Sequence, residues 1–182
     1  MDATPLITTL QEAVPGAQFE AAPSVDLQPT VIVARDEVPS IARALHDREN
    51  LAFTFLAELT AADYWPREPR FEVIYILVSL AHRQRLRLKV RLHGNDAHLA
   101  TVSDVWPAAN WLEREVWDLF GIEFDGHPDP RRLLMPEDWE GYPLRKDYPV
   151  QIRKHADWAQ PLQVSEEEFR ASVQKDRLVR KD

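Results

Sequence analysis

The residues best suited to chemistry fall into two short acidic groups. The first is Glu113, Glu115 and Asp118 within the segment WLEREVWDLFGI, whose carboxylates are of the kind that bind a metal ion or act as general acid and base. A di-metal site between helices uses a Glu-x-x-His pattern, and no histidine lies three residues after either glutamate. The spacing therefore favours a structural or interface role for these carboxylates over catalysis.

The second group, Asp125, His127 and Asp129, places possible metal ligands close together. Pro128 and Pro130 interrupt it, and the sequence offers no second cluster of ligands to complete a site. It also lacks cysteine, a Gly-rich phosphate loop, a Gly-x-Ser-x-Gly elbow and a His-Glu-x-x-His motif. We therefore predict no catalytic, cofactor-binding or metal-binding residue in this chain, and any redox cofactor must belong to another chain.

The segment WLEREVWDLFGI predicts a helix that is apolar almost all round. At about 100° per residue, one wide arc carries two acids among apolar side chains; its members are Trp111, Leu112, Glu113, Glu115, Val116, Trp117, Leu119 and Phe120. Such a helix is buried on more than one side, and carboxylates within the arc need partners. Arg114 and Asp118 share the remaining polar edge, where we expect them to pair with each other.

The elements that position this helix follow from periodicity and from turn residues. Ser103 or Asp104 is expected to cap the helix, and Gly121 to end it. The other predicted elements are, in chain order, a short helix starting at Thr4, a strand over 29–35, a helix capped by Asp36, a strand over 51–59 with helix as the rival, a strand over 71–80 covered on both faces, a strand over 85–92, a turn at 93–96 and a short strand around 99–102.

Residues 125–150, here called the arm, have no helical or strand period and contain five prolines and two glycines. Their anchors are apolar or aromatic: Leu133, Leu134, Met135, Trp139, Tyr142, Leu144 and Tyr148. An aperiodic stretch with such anchors is typical of a segment laid over another surface. We therefore predict a core domain over 1–124 and an arm and tail over 125–182, with a helix after Ser165, and expect the arm to order only against a partner.

The composition bounds the class of protein. The chain has 182 residues, 45% of them hydrophobic, which is enough for a sizeable core. A net charge of −8 disfavours general binding to nucleic acid or anionic membranes. The longest apolar run, 73–81, is too short to span a membrane, and MDATPLITTL lacks the basic start of a signal peptide. We expect a soluble or peripheral protein.

The motifs WLERE, DLFGI, GHPD, RR and PLRKDYP follow one another across residues 109–150. In that order and spacing they resemble the thirty-kilodalton subunit of the proton-translocating NADH:quinone oxidoreductase, respiratory complex I. FLAELTAADYW and FEVIYILVSL look like the sheet region of that family. The resemblance covers most of residues 50–150, whereas the first 50 residues and the tail after Val150 match only loosely.

The resemblance implies an α+β domain, ferredoxin-like in character, with a mixed or antiparallel sheet, packed helices and an extended C-terminal arm. The arm would pack on the forty-nine-kilodalton subunit of the peripheral part of the complex. The chain would be a structural subunit without cofactors, with FMN and iron–sulfur clusters in its partners, supporting electron transfer from NADH to quinone coupled to proton translocation. It would lie on the cytoplasmic side of the inner membrane, attached only through the complex.

The resemblance also implies which residues form the partner interface. Glu113 and Glu115 would meet arginines of the arm or of the neighbouring subunit. The sequence departs from the usual pattern at Pro130, where leucine is common, and at Trp117, where tyrosine is common. The implied interface residues are Trp111, Glu113, Arg114, Glu115, Asp118, Phe120, Gly121, His127, Arg131, Arg132, Pro143, Leu144, Arg145, Lys146 and Asp147.

Alternative functions remain open. Within the same class, the chain could be the equivalent subunit of a ferredoxin- or coenzyme-dependent dehydrogenase or of a membrane-bound hydrogenase. In another class, the five cations of 83–91 could form a nucleic-acid surface, but this strand has no aromatic residue for stacking, which favours a solvated sheet face or one satisfied by neighbouring acids. A free-standing metal enzyme is the third alternative.

Overall fold

A five-stranded mixed sheet frames the protein. The computed structural model describes residues 4–26 and 28–149, and the predicted helix after Ser165 lies outside them. The strands are β1 (Phe19–Ala22), β2 (Thr30–Val33), β3 (Phe55–Asp63), β4 (Phe71–Ser79) and β5 (Gln84–Leu92), in the order β1-β2-β5-β4-β3. Only the β2–β5 pairing is parallel within this sheet.

Three helices and a small second sheet complete the described structure. The helices are α1 (Thr4–Ala13), α2 (Val38–Asp47) and α3 (Ala109–Phe120). β6 (His98–Ala100) and β7 (Glu123–Asp125) pair in parallel on either side of α3 in the sequence. The α+β class with a mixed sheet is as predicted. Within the described residues, every helix is too short or too polar to cross a lipid bilayer.

The two central strands show why one face of the sheet is buried. Alternate residues of β4 and β5 point into the core, and these are Phe71, Val73, Tyr75, Leu77, Leu86, Leu88, Val90 and Leu92. The opposite parity of β4 is only half-buried, and Ile74 and Ile76 lie across from Lys89 and Arg87. Long basic side chains cover apolar neighbours with their methylene groups. The predicted burial of strand 71–80 on both faces is therefore wrong.

The basic row on β5 is largely satisfied by acids of neighbouring segments. Lys89 lies 2.8 Å from Glu72, and Arg91 also contacts Glu72 at 3.4 Å. Arg87 pairs with Asp26. These ion pairs remove most of the free positive charge that a nucleic-acid surface needs.

Helix α2 starts differently from the prediction. Residues Arg35–Glu37 form a 3₁₀ turn that runs directly into the helix, and Glu37 is the N-cap without a side-chain cap hydrogen bond. Asp36 is therefore not the cap. Its neighbour Arg35 points instead to Asp96 in the turn after β5, at 2.7 Å. The apolar face of α2 is buried as its spacing predicts.

The predicted strand 51–59 begins four residues late. Residues 51–54 form a turn at the end of α2, where the N–H groups of Leu51 and Ala52 donate to the carbonyl of Arg48, and that of Phe53 donates to the carbonyl of Leu45. Those bonds take the backbone groups that a strand would use. The alternation of large and small side chains therefore mimics a strand that does not form there.

We expect Phe53→Ala and Phe55→Ala to differ sharply, because the strand starts between them. In a regular strand the two rings would share a face, but Phe53 is 0% exposed and Phe55 is 52% exposed. Phe53→Ala should lower the free energy of unfolding by about 3–5 kcal/mol, and Phe55→Ala by less than about 1 kcal/mol. Urea titration of both variants provides the measurement. Equal losses of unfolding free energy in the two variants would support a strand that begins at residue 51.

Candidate functional site

The first half of the arm wraps around one carboxylate of α3. Asp118 is fully buried, and its Oδ2 accepts the backbone N–H groups of Leu133, Leu134 and Met135 at 3.0, 2.7 and 2.8 Å. Its Oδ1 accepts a hydrogen bond from Arg132 at 2.7 Å. Burial alone would raise the pKa of Asp118, but these donors outweigh it and lower the pKa. The arm thus closes around an ionised side chain.

Arg114 binds the neighbouring residues of the arm through their backbone carbonyl groups. Its Nε and one Nη donate to the backbone carbonyls of Arg131 and Arg132, each at 3.0 Å, and another Nη lies 3.4 Å from Asp129. The predicted pair between Arg114 and Asp118 is therefore wrong. An exposed pair one helical turn apart contributes only a few tenths of a kcal/mol, whereas buried charges require several strong partners, which the arm supplies.

The second half of the arm seals the end of α3. Gly121 ends the helix with φ +68°, as predicted, and the ring of Tyr142 occupies the space where a Cβ would stand. Arg145 donates to the carbonyls of Phe120 and Gly121. A cation at these unpaired carbonyls also complements the negative end of the helix dipole. Burial lowers the pKa of Arg145 relative to a free arginine.

The arm ends on the edge of the main sheet. The Asp63 carboxylate, fully buried at the end of β3, accepts hydrogen bonds from Arg70 at 2.8 Å and from the backbone N–H of Lys146 at 2.8 Å. Arg70 also contacts Asp147 at 2.6 Å. Burial raises the pKa of Asp63, but the guanidinium and the N–H donors outweigh it and bring the pKa to about 2. This cluster fixes the last described turn of the arm.

These contacts attach the arm to α3 and to the edge of the main sheet. The protein forms one compact unit over Met1–Tyr148, and the remainder of the chain, Pro149–Asp182, lies almost wholly outside the described residues. The predicted boundary after residue 124 lies inside the first of these units and remains a prediction. The expectation that the arm orders only against a partner also remains a prediction, while α3 and the sheet edge bond several of its backbone groups.

Glu113 is buried without a cation bonded to it. Its carboxylate accepts hydrogen bonds from the Thr101 hydroxyl and, at 2.8 Å, from the backbone N–H of Val102. His127 Nε2 lies 3.9 Å away and contacts the carbonyl of Asn110 at 3.0 Å. Burial raises the pKa of Glu113 to about 7. Among the described residues no arginine of the arm bonds to Glu113, so that alternative is wrong, and an arginine of the neighbouring subunit remains a prediction.

Glu115 behaves differently from the two buried acids. It is half-buried, and among residues 4–26 and 28–149 it makes no side-chain hydrogen bond or ion pair. The neighbouring Trp111 exposes 59% of its surface, with the guanidinium of Arg114 5.1 Å from the ring centre. The partner expected for Glu115 remains a prediction.

A cavity of about 410 Å³ lies between α3, β7 and the arm, lined in part by Glu113, Trp117, Phe124 and His127. Its polar side chains Glu113, Arg114, Asp125 and His127 already have partners within the chain. Within the part of the chain that the structure describes, no three metal-ligating side chains converge. Asp125 contacts His98 at 2.7 Å, and Asp129 is held by Arg131. The described charges of the site thus form a junction between α3 and the arm.

Sequence reasoning missed two residues of this junction, Asp63 and Arg70. They flank the loop YWPREP, whose ends are brought together by the hairpin of β3 and β4. An acid and an arginine on either side of a short Pro-containing loop between two predicted strands are a signal that could have identified the pair.

We expect Asp118→Asn to loosen the arm. The amide removes the charge that Arg132 pairs with, and its NH₂ group would face backbone N–H donors. The free energy of unfolding should therefore fall by about 3 kcal/mol. Hydrogen exchange of the amides of residues 133–135 and urea unfolding measure the effect. The matched control is Glu115→Gln on the same helix, which should change the free energy of unfolding by less than about 0.5 kcal/mol. Unchanged protection in Asp118→Asn would show that the carboxylate does not hold the arm.

Glu113→Gln should remove a pH dependence of stability. The pKa of Glu113 is raised in the folded state, so its protonated form stabilises the fold below about pH 4.5, and that contribution is lost as the pH rises through about 7. The loss is on the order of 3 kcal/mol at most. Unfolding free energies from pH 5 to 8.5 should therefore fall more steeply for the wild type than for Glu113→Gln. Parallel curves would contradict the buried-acid assignment.

Comparison with known proteins identifies the family to which the chain is similar. Residues 31–154 match the family described as the 30 Kd subunit of respiratory-chain NADH dehydrogenase. The chain is 52% identical over 123 residues to the C-type subunit of the NADH-quinone oxidoreductase of Geobacter sulfurreducens, covering 67% of this chain and 75% of that protein. It is 44% identical over 155 residues to the same subunit of Roseiflexus castenholzii, covering 82% and 86%.

Two solved structures share the fold. A trypsin-resistant fragment of Nqo5 is 37% identical with a TM-score of 0.55, covering 68% of this chain and 98% of the fragment. A chain of the membrane-bound sulfane sulfur reductase, an archaeal respiratory membrane complex, is 26% identical with a TM-score of 0.66, covering 81% and 85%. By its matched segment and by its relatives, the chain belongs to the family of the 30 Kd subunit of respiratory-chain NADH dehydrogenase.

Proposed function

We propose that the protein is a structural, non-catalytic subunit of the peripheral arm of an NADH:quinone oxidoreductase, docked on the forty-nine-kilodalton subunit. It supports electron transfer from NADH to quinone coupled to proton translocation, while FMN and iron–sulfur clusters belong to partner subunits. It works at the cytoplasmic side of the inner membrane and reaches the membrane only through the complex. The family and the relatives from NADH-quinone oxidoreductases support the role in the enzyme.

The structural role is supported by a contrast among the motif residues: the charged ones are bonded within the chain, and several apolar ones are exposed. The charged members join the arm to α3 by hydrogen bonds and ion pairs, and these are Arg114, Asp118, Arg132 and Arg145. Trp111, Leu134 and Leu144, in contrast, stay largely exposed on that fixed arm and helix. Large exposed apolar side chains on a rigid support are typical of a protein–protein interface. The motif therefore fits a docking surface better than a reaction centre.

Two other functions compare less well with the structure. The likeness to a chain of the sulfane sulfur reductase complex keeps open an equivalent subunit in a related respiratory complex, and the electron donor of the purified complex separates these cases. The nucleic-acid alternative is weakened by the ion pairs that Arg87, Lys89 and Arg91 make within the chain.

The test is recovery of the tagged protein from native membranes. The wild type should bring the forty-nine-kilodalton subunit and NADH-dependent quinone reduction with it. Glu115→Ala should reduce this recovery while the isolated variant melts as the wild type does, because Glu115 lacks a described partner and would pair with a cation of the neighbour. Losing such a buried pair typically costs about 2–5 kcal/mol of binding.

Glu12→Ala is the matched control, since Glu12 is an exposed glutamate on α1. It should leave both recovery and melting unchanged. If Glu115→Ala melts many degrees lower yet assembles normally, Glu115 belongs to the subunit's own packing and not to the interface. If the wild type recovers no dehydrogenase subunit, the proposed function itself is wrong.

A further inference from the structure

The loop between β3 and β4, residues 64–69, carries two adjacent exposed aromatic side chains. Tyr64 is 40% and Trp65 is 52% exposed. Leaving a tryptophan in water forgoes a large burial energy, and such residues are enriched among those that dominate binding interfaces. This loop contains none of the residues of the arm junction and none of the implied interface residues, although Tyr64 and Trp65 end the segment FLAELTAADYW.

The loop is held in place by the same carboxylate that holds the end of the arm. Oδ1 of Asp63 accepts the backbone N–H of Trp65 at 2.9 Å, while its Oδ2 accepts the backbone N–H of Lys146 at 2.8 Å. The N–H of Tyr64 donates to the carbonyl of Arg70 at 2.8 Å, which closes the base of the loop. The aromatic loop and the last turn of the arm are therefore parts of one rigid surface, and a preordered surface loses little entropy on binding.

The charged side chains of this surface that lack a partner among residues 4–26 and 28–149 are cationic, whereas its carboxylates are bonded within the chain. The loop's own acid, Glu68, is occupied by the N–H groups of Arg70 and Gly94 and by His93. The cationic groups of Arg67 and Lys146 make no hydrogen bond or ion pair with residues 4–26 or 28–149. What remains available to a partner is an apolar pair flanked by two free cations, which is complementary to an apolar recess with carboxylates at its rim.

We propose that Tyr64, Trp65 and Arg67, together with Leu144 and Lys146 of the arm, form a second docking patch for the neighbouring subunit. The occupant is a protein surface with an apolar recess for the Trp65 ring and acidic side chains opposite Arg67 and Lys146. This inference rests on the proposed function, and it extends the interface from the α3 motif to the β3 edge of the main sheet. A lipid surface would also accept aromatic and cationic groups, but the bond shared with the arm favours the protein that the arm contacts.

The test uses the full-length tagged chain in native membranes. Trp65→Ala should lower the recovery of neighbouring subunits at least tenfold under competition with the untagged wild type, as for an interface tryptophan. Trp65→Phe should restore part of it, and Arg67→Glu, which changes only an exposed side chain, should lower it in a salt-dependent way. Each isolated variant should melt at the temperature of the wild type.

Leu80→Ala is the matched control, because Leu80 is 70% exposed but follows the far end of β4. It should assemble as the wild type does, and a loss equal to that of Trp65→Ala would overturn the patch. Normal recovery in both Trp65→Ala and Arg67→Glu, with the wild type still bringing its partners, overturns this inference and leaves the proposed function standing. Failure of the wild type to recover any partner overturns both. Trp65-dependent retention of the isolated protein on anionic vesicles, with unchanged recovery of the neighbours, would assign the patch to lipid.

Discussion

The described structure depends on satisfying the charges that α3 carries into the interior. Arg114 and Asp118 are both buried, and either charge alone in such a place would cost several kcal/mol. The arm supplies backbone carbonyls to one and backbone N–H groups to the other. Within the described residues, the arm does not form a strand ladder of its own. The same contacts therefore also give hydrogen-bond partners to backbone groups of the arm. Without the arm, the two buried charges of the helix would lose these partners.

Burial alone does not decide how an acid behaves, as three buried acids show. Asp63 and Asp118 have an arginine and several N–H donors, and their pKa values fall. Glu113 has a hydroxyl and one N–H, so the cost of burial prevails and its pKa rises to about 7. Tyr75, buried beside it, has no hydrogen-bond partner for its hydroxyl among the described residues, which leaves this part of the junction the least well satisfied.

How far the sequence predicts the fold depends on the range of the interactions. The alternation of β5, the apolar face of α2 and the glycine end of α3 are local patterns, and the structure has all three. β1 and β7 were missed because strands of three or four residues show too little periodicity. The arm's attachment was missed because it joins an aperiodic segment to a helix face by backbone groups, which leave no trace in the side-chain pattern. The helical wheel placed Glu113 correctly in the buried arc, but it put Arg114 and Asp118 on a polar edge although both are buried, and it could not name the partners of any of them.

This arrangement bears on how changes in the motif should be interpreted. The charged groups of Asp118, Arg132 and Arg145 are bonded within the chain. Replacing these residues should therefore loosen the arm itself and affect contacts with a neighbour only indirectly. An assembly defect at these positions would therefore reflect lost preorganisation. Under the proposed function, direct contact would belong to side chains that the arm leaves exposed, such as Leu134 and Leu144. Comparing melting of the free protein with its recovery in the complex separates the two causes, because only the first kind of change lowers both.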